Sequence, residues 1–214
     1  MLYTSADRVY VPLLDRLLYR HPFEGRSARR YARDARPAFG DFDDRLLDAL
    51  APALDGAQRL LDLGCGPGEF ARRAAARRPA LQVVAIDPSR EFAHRGVVRA
   101  AGEALPLAGR SIDVAVCLSS IRYVIDRAAT LGELRRVVRG VLVIVELDPE
   151  ADAARVAHHA GRLGSVMLRT LFGPLMLRTA PPAAAIAAEA AAAGFALRAL
   201  RPDPVQPFYI MELA

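Results

Sequence analysis

From about Gly56 onward, short runs of branched aliphatic residues alternate with Ala-, Arg- and Leu-rich stretches, the pattern of strands and helices alternating around a sheet. Arg59–Leu63 reads as a first strand, ended by Gly64-Cys65-Gly66-Pro67-Gly68; a helix runs from Ala71 to Arg78, and Pro79 stops it. Leu81–Ile86 is a second strand, closed by Asp87-Pro88, where proline favours a turn. Ser89–His94 reads as a short helix and Val97–Ala100 as a short third strand. Ser111–Leu118, apolar through its centre, is a fourth strand buried on both faces. Ala128–Arg139 puts Leu131, Leu134, Val137 and Val138 on one side of a helix and Arg135, Arg136 and Arg139 largely on the other, with Gly140 as its cap. Val141–Glu146 is a fifth buried strand. Ala183–Ala193 is an Ala-rich helix ended by Gly194, and Phe195–Leu200 and Phe208–Leu213 are two further strands, joined through the Pro-rich stretch Arg201–Pro207.

Two segments fall outside this alternation. Residues 1–55 are helical in pattern, with Leu13, Leu14, Leu17 and Leu18 on one face, a turn at His21-Pro22-Phe23-Glu24-Gly25, and a second periodic stretch at Leu46, Leu47 and Leu50. Residues 150–179 are also helical in pattern, broken near Gly173-Pro174. Each sits where it could cover the carboxyl ends of the strands, the edge at which open α/β sheets bind ligands. The expected organisation is an N-terminal helical cap over 1–55 that contributes to a substrate pocket, and a sheet domain over 56–214 with a helical lid at 150–179.

At 214 residues, 53% hydrophobic and 25% charged, the chain is expected to form one globular domain, which excludes a disordered tail protein and a disulfide-knotted peptide. The net charge of +5 and pI near 9.7 raise a nucleic-acid partner. However, the sequence has no Lys and no Asn, so all 29 basic residues are Arg, in a background rich in Ala, Gly, Pro and Leu. That is the imprint of a GC-rich bacterial genome, and it disfavours a nucleic-acid reading of the charge. Cys65 and Cys117 alone make no disulfide framework and fit a reducing cytoplasm. Met1–Tyr10 lacks a secretory pattern, and no apolar run approaches the roughly 20 residues of a membrane span. The expectation is a cytoplasmic protein without a transmembrane segment.

The strongest chemical signal is Leu60-Leu61-Asp62-Leu63-Gly64-Cys65-Gly66-Pro67-Gly68-Glu69-Phe70. A strand runs into a turn with three glycines in five residues, where positive φ and close ligand approach meet no Cβ. The helix that follows offers unpaired N–H groups to a negative ligand group. The dinucleotide fingerprint needs a glycine three positions after Gly66, and Glu69 stands there.

The stretch resembles motif I of class I S-adenosylmethionine-dependent methyltransferases, in the small-molecule branch that includes the ubiquinone/menaquinone C-methyltransferase type. Further matches follow in the family's order: Asp87 with Pro88 at the end of the second strand, Gly102-Glu103-Ala104-Leu105-Pro106-Leu107 leading to Ile112-Asp113-Val114, and Arg135–Gly140 before the fifth strand. The resemblance covers 56–148 well and implies a Rossmann-like α/β fold: a seven-stranded, mostly parallel sheet with one antiparallel C-terminal strand and helices on both faces. It further implies S-adenosylmethionine as cofactor and S-adenosylhomocysteine as product. Gly64, Cys65, Gly66 and Gly68 would then face the methionine part, Asp62 its amino group, Asp87 the ribose diol, which a carboxylate can accept from twice, and Leu118 would offer its carbonyl to the ammonium. The chain departs from relatives at Ala101, where they often carry Asp, so adenine would rest on backbone near Gly102 and Glu103. It departs again at Arg122-Tyr123, where many have a His pair, and at Arg139, where Pro is usual.

Cys117 stands near the place of the cytosine-methylating cysteine of RNA enzymes, but Val116 precedes it where those enzymes carry Pro, so it reads as a buried strand residue. Leu118-Ser119-Ser120-Ile121 replaces the Asn/Asp-Pro-Pro-aromatic motif of base N-methylation. His21, His158, His159, Tyr10, Tyr19 and Tyr31 read as helix-packed residues, and the sequence marks neither a catalytic base nor a metal site. The apolar stretch Ser165–Leu177, with its interleaved Met and Arg, is a lid, a wall for an apolar acceptor, or a segment in transient contact with a membrane. The leading expectation is methyl transfer to O or C of a hydrophobic small molecule. The alternatives are a non-catalytic cofactor-binding scaffold and, with less support, an RNA methyltransferase. The oligomeric state leaves no mark in the sequence.

Overall fold

The computed structural model describes residues 24–93 and 96–214. Its strands are β1 (Arg59–Leu63), β2 (Gln82–Asp87), β3 (Val97–Arg99), β4 (Ile112–Leu118), β5 (Val138–Leu147), β6 (Leu197–Pro202) and β7 (Phe208–Leu213). They form one sheet in the order β3-β2-β1-β4-β5-β7-β6. β7 runs antiparallel to both of its neighbours and the other pairs are parallel, the arrangement expected from the resemblance. The helices are α1 (Gly25–Arg30), α2 (Phe42–Ala49), α3 (Ala51–Leu54), α4 (Glu69–Arg77), α5 (Arg127–Val137), α6 (Ala153–Arg162), α7 (Val166–Leu171) and α8 (Ala183–Ala192).

Alternation along the strands divides the apolar side chains between two layers. Leu60, Val114, Val116, Val143, Val145 and Ile210 face one layer with α2, α3 and α4, closed by Phe42, Phe70 and Phe172. Leu61, Ile86, Ala115, Cys117, Leu142 and Ile144 face the other, against Leu131 and Leu134 of α5 and Ile186 of α8. The stretch 42–54 therefore lies on a sheet face, and residues 24–39 run beside the β1–α4 turn. Leu13, Leu14, Leu17, Leu18, Tyr10, Tyr19, His21 and His94 lie outside the described residues.

Three local expectations are corrected. Gly140 does not cap α5, because β5 starts at Val138 and carries Gly140 inside it. A Cβ there would overlap the Asp113 carbonyl, at a point where the β4–β5 register slips between Ile112 and Val114. Ser89–Phe92 is a turn, closed by the Phe92 N–H donating to the Ser89 carbonyl at 3.3 Å, and not a helix. The β2–β3 connection, residues 88–96, is shorter than the roughly dozen residues of a usual parallel crossover. The sheet face beside α4 is thereby left as an open groove of about 670 Å³, lined by Ala71, Ala75, Val83, Ala85 and Val97. Finally, Gly173-Pro174 does not break the helical stretch: Phe172–Leu177 continues its path in one wide π-type turn.

Candidate functional site

β1 and β4 are neighbours whose chain connections depart in opposite directions, so the carboxyl edge between them is the switch point of the sheet. A cavity of about 270 Å³ opens there, with Gly64, Pro88, Gly102, Glu103, Cys117 and Ser120 among its lining residues. Thus four of the residues expected to hold a ligand (Gly64, Pro88, Gly102 and Glu103) meet at one cavity from three separate stretches of chain. Glu24 and Arg99, which sequence reasoning did not single out, line it as well. No pattern marks Glu24; only the fold brings it there, its carboxylate accepting from the Arg90 N–H at 3.3 Å.

The turn is built as its glycines require. Gly64, Gly66 and Gly68 all have positive φ, at 71°, 54° and 76°. At Gly64 a Cβ would also overlap the Ser120 side chain, whose hydroxyl donates to the Leu63 carbonyl at 2.7 Å. The Gly64 and Cys65 N–H groups donate to the Ile86 carbonyl at 2.8 and 3.1 Å, binding the turn to the end of β2. Asp87 completes the clamp by accepting from the Gly66 N–H and the Ser89 N–H, each at 2.9 Å. Burial pushes its carboxyl up, and those two N–H groups pull it back. Each of its oxygens keeps a lone pair beyond the bond it already accepts.

Asp62 lies beneath the turn, 1% exposed, and its Oδ2 has no hydrogen-bond partner among the described residues. Burial pushes its carboxyl up to about 7, against the pull of Arg36, with Asp43 and Asp87 adding repulsion. Arg36 itself is buried, bonding Asp43 at 2.5 Å and approaching Glu69 at 3.4 Å. Arg73 also approaches Asp43, at 3.8 Å, so Asp62, Asp43 and Glu69 are gathered with two guanidinium groups.

The remaining expected residues are placed as follows. Leu118 is buried at the end of β4, Ala104 is exposed in the turn before Leu105, and Glu103 accepts from the Asp126 N–H at 2.9 Å. Burial pushes the Cys65 and Cys117 thiols well up, which leaves neither as a nucleophile at neutral pH. His159 is packed in the core, stacked on Phe172 at 4.7 Å, with Nδ1 2.7 Å from Gln206 Oε1. The Gln206 amide donates to the Ala38 and Phe39 carbonyls, so its oxygen must accept, which fixes His159 as the Nδ1–H tautomer. Among the described residues no cluster of His, Cys, Asp and Glu suits a metal ion, and no helix is long and apolar enough to cross a membrane.

Residues 61–144 match the family model described as a methyltransferase domain. The ubiquinone/menaquinone biosynthesis C-methyltransferase UbiE of Syntrophotalea carbinolica is 34% identical over 108 residues, 44% of this chain and 46% of that protein. The UbiE of Dinoroseobacter shibae is 34% identical over 119 residues, covering 48% and 47%. The matched stretch thus spans about half the length of these curated relatives. Among solved structures, a methyltransferase from Aquifex aeolicus superposes with a TM-score of 0.62 at 14% identity, covering 87% of this chain and 96% of that one. The [4+2]-cyclase SpnF superposes at 0.56 with 20% identity over 79% of each chain. At those identities the superpositions carry the fold alone. Residues 61–144 thus match a methyltransferase domain, on a fold shared with solved S-adenosylmethionine-dependent methyltransferases.

Proposed function

We propose that the chain transfers a methyl group from S-adenosylmethionine to O or C of an apolar small molecule, of the quinone or secondary-metabolite class. The observation that carries this is the unpartnered, buried Asp62 oxygen beneath the glycine turn. An unpaired buried acceptor is costly, and a ligand ammonium would satisfy it. The residues present therefore fit the cofactor. When bound, S-adenosylmethionine supplies an electrophilic methyl on a sulfonium.

In this reading Asp62 gives up its proton to hold the ammonium, helped by the Leu118 carbonyl. Gly64, Cys65, Gly66 and Gly68 present backbone to the methionine part. Asp87, with Pro88 beside it, takes the ribose diol on its remaining lone pairs, and Gly102, Glu103 and Ala104 border the adenine. The largely apolar lining past Ile121 and Val124 favours an apolar acceptor, as does the similarity to the UbiE proteins. The protein's contribution to rate is proximity and in-line orientation, a term that can reach roughly 7–11 kcal/mol. In this reading the 1–55 segment contributes to the cap of the substrate pocket through the residues around Glu24, and 150–179 is its lid, on the sheet domain of 56–214.

Calorimetry with S-adenosylmethionine and S-adenosylhomocysteine tests the cofactor half. Binding is expected with both, and Asp87→Ala should weaken it at least tenfold while leaving a folded circular-dichroism spectrum. Absence of heat with either ligand overturns the reading. Incubation of labelled cofactor with a panel of prenylated quinols and naphthoquinols tests the transfer half. Binding without label transfer to any acceptor would favour a non-methylating role, such as the cyclase named for SpnF.

A further inference from the structure

We propose that α7 and the turn after it form a docking face for an anionic lipid surface. The inference goes beyond methyl transfer and does not depend on it. Val166 is 76% exposed, Met167 47%, Leu171 38% and Leu175 37%, half of the large exposed hydrophobics among the described residues, all within ten positions. At about 100° per residue, Val166, Thr170, Met167 and Leu171 fall within roughly 140° of arc on α7, and Arg169 flanks Val166. The opposite side is held in the core by Leu168, Phe172, Met176 and Leu177. The exposed arc is therefore the outer face of a well-seated element.

Charge selects the partner. From Ala153 to Ala188 the chain has no carboxylate, and while Arg155 is paired with Asp152 and Asp148, Arg162, Arg169 and Arg178 are exposed. Exposed aliphatic side chains with Arg beside them, in a segment without carboxylates, are the composition of an interfacial helix on anionic lipid. A nucleic acid would call for exposed aromatic rings to stack on, and this face has none. A second copy meeting it symmetrically would set Arg against Arg.

The face is mechanically tied to the cavity. Arg122, one residue from Ile121 in the cavity wall, donates to the Met176 carbonyl at 2.8 Å and to Thr179 Oγ1 at 2.5 Å. Seating on a lipid surface would hold the cavity close to molecules dissolved in that surface.

Co-sedimentation with vesicles tests this without cofactor or acceptor, so its failure leaves the methyl-transfer reading untouched. Wild type should pellet with vesicles of equal parts phosphatidylglycerol and phosphatidylcholine, not with phosphatidylcholine alone, and should be released by salt. The triple variant V166S/M167S/L171S should partition at least about tenfold more weakly. Because the chain has no Trp, Met167→Trp gives a single reporter whose emission should shift to the blue on anionic vesicles. The proposal is overturned if wild type ignores anionic vesicles, if the triple variant binds as well as wild type, or if the Trp does not shift. It is equally overturned if sedimentation velocity finds a dimer that the triple variant dissolves, a second copy then being the occupant.

Discussion

Asp62→Asn separates the electrostatics of the turn from its shape. The Asn oxygen can still accept the backbone bond from Ala71 that Asp62 receives, but it carries no charge into the buried site. The wild-type carboxyl is pushed up to about 7 from 3.8 in the unfolded chain. The raised value means that folding favours the protonated form: its contribution is whole below pH 3.8 and is lost progressively up to pH 7. At 1.36 kcal/mol per unit, and with half of the group still protonated at pH 7, the loss between pH 5 and pH 7 is about 2 kcal/mol. His159 works in the other direction. Burial holds it down to about 4, so its stabilisation is present above 6.5 and is lost as pH falls, about 2 kcal/mol between 6.5 and 5. Wild type alone would therefore look nearly flat over that range, and the informative quantity is its difference from Asp62→Asn. Urea unfolding at pH 5, 6, 7 and 8 should find Asp62→Asn gaining on wild type by about 2 kcal/mol from pH 5 to 7 and levelling off by pH 8. Parallel stability curves for the two proteins would refute the reasoning.

The buried Arg36–Asp43 pair should be costly to halve. Arg36→Met leaves the 1%-exposed Asp43 carboxyl with only the more distant Arg73 and should cost about 3–5 kcal/mol in denaturant unfolding, while adding Asp43→Leu should restore most of it. If the single variant is as stable as wild type, the pair is not coupled to the fold. Two glycines should respond to alanine with opposite signs. Gly132→Ala, on α5 with open space around it, should stabilise by about 0.5–1 kcal/mol, and Gly140→Ala should destabilise by about 1–3 kcal/mol, both read in thermal melts.

The sheet was legible because its strands are short aliphatic runs bounded by breakers: β1 and β7 fall on the residues that the pattern predicts. Gly140 was misread because a glycine after a helix is usually a cap, whereas here the constraint comes from Asp113, 27 positions away in sequence. Ser89–Phe92 was misread because the helical composition is real but the connection is too short to build and pack a helix. In the site, the glycine turn was legible from its spacing, while Asp62 and Asp87 were marked only by the family resemblance, and the structure puts both beside that turn. The Arg36–Asp43 pair and its neighbour Glu69 were not, since Arg36 and Asp43 are surface-type residues that are buried together only by the fold of the segment before β1. Glu24 escaped for the same reason.

The position of β7 has a consequence for the order of events during synthesis. Until residues 208–213 have been made, β5 presents Val141-Leu142-Val143-Ile144-Val145 as an unpaired edge, with only β4 beside it. Such an edge is long, uncharged and strongly β-prone, a template for pairing with another chain. β6 cannot shield it, because it reaches the sheet only through β7. More than sixty residues therefore leave the ribosome while the most apolar strand of the sheet is open on one side. During that interval solubility rests on the nascent chain's own charges or on a chaperone, which makes expression yield in a slow-folding variant a question of β7 arrival and not of final stability.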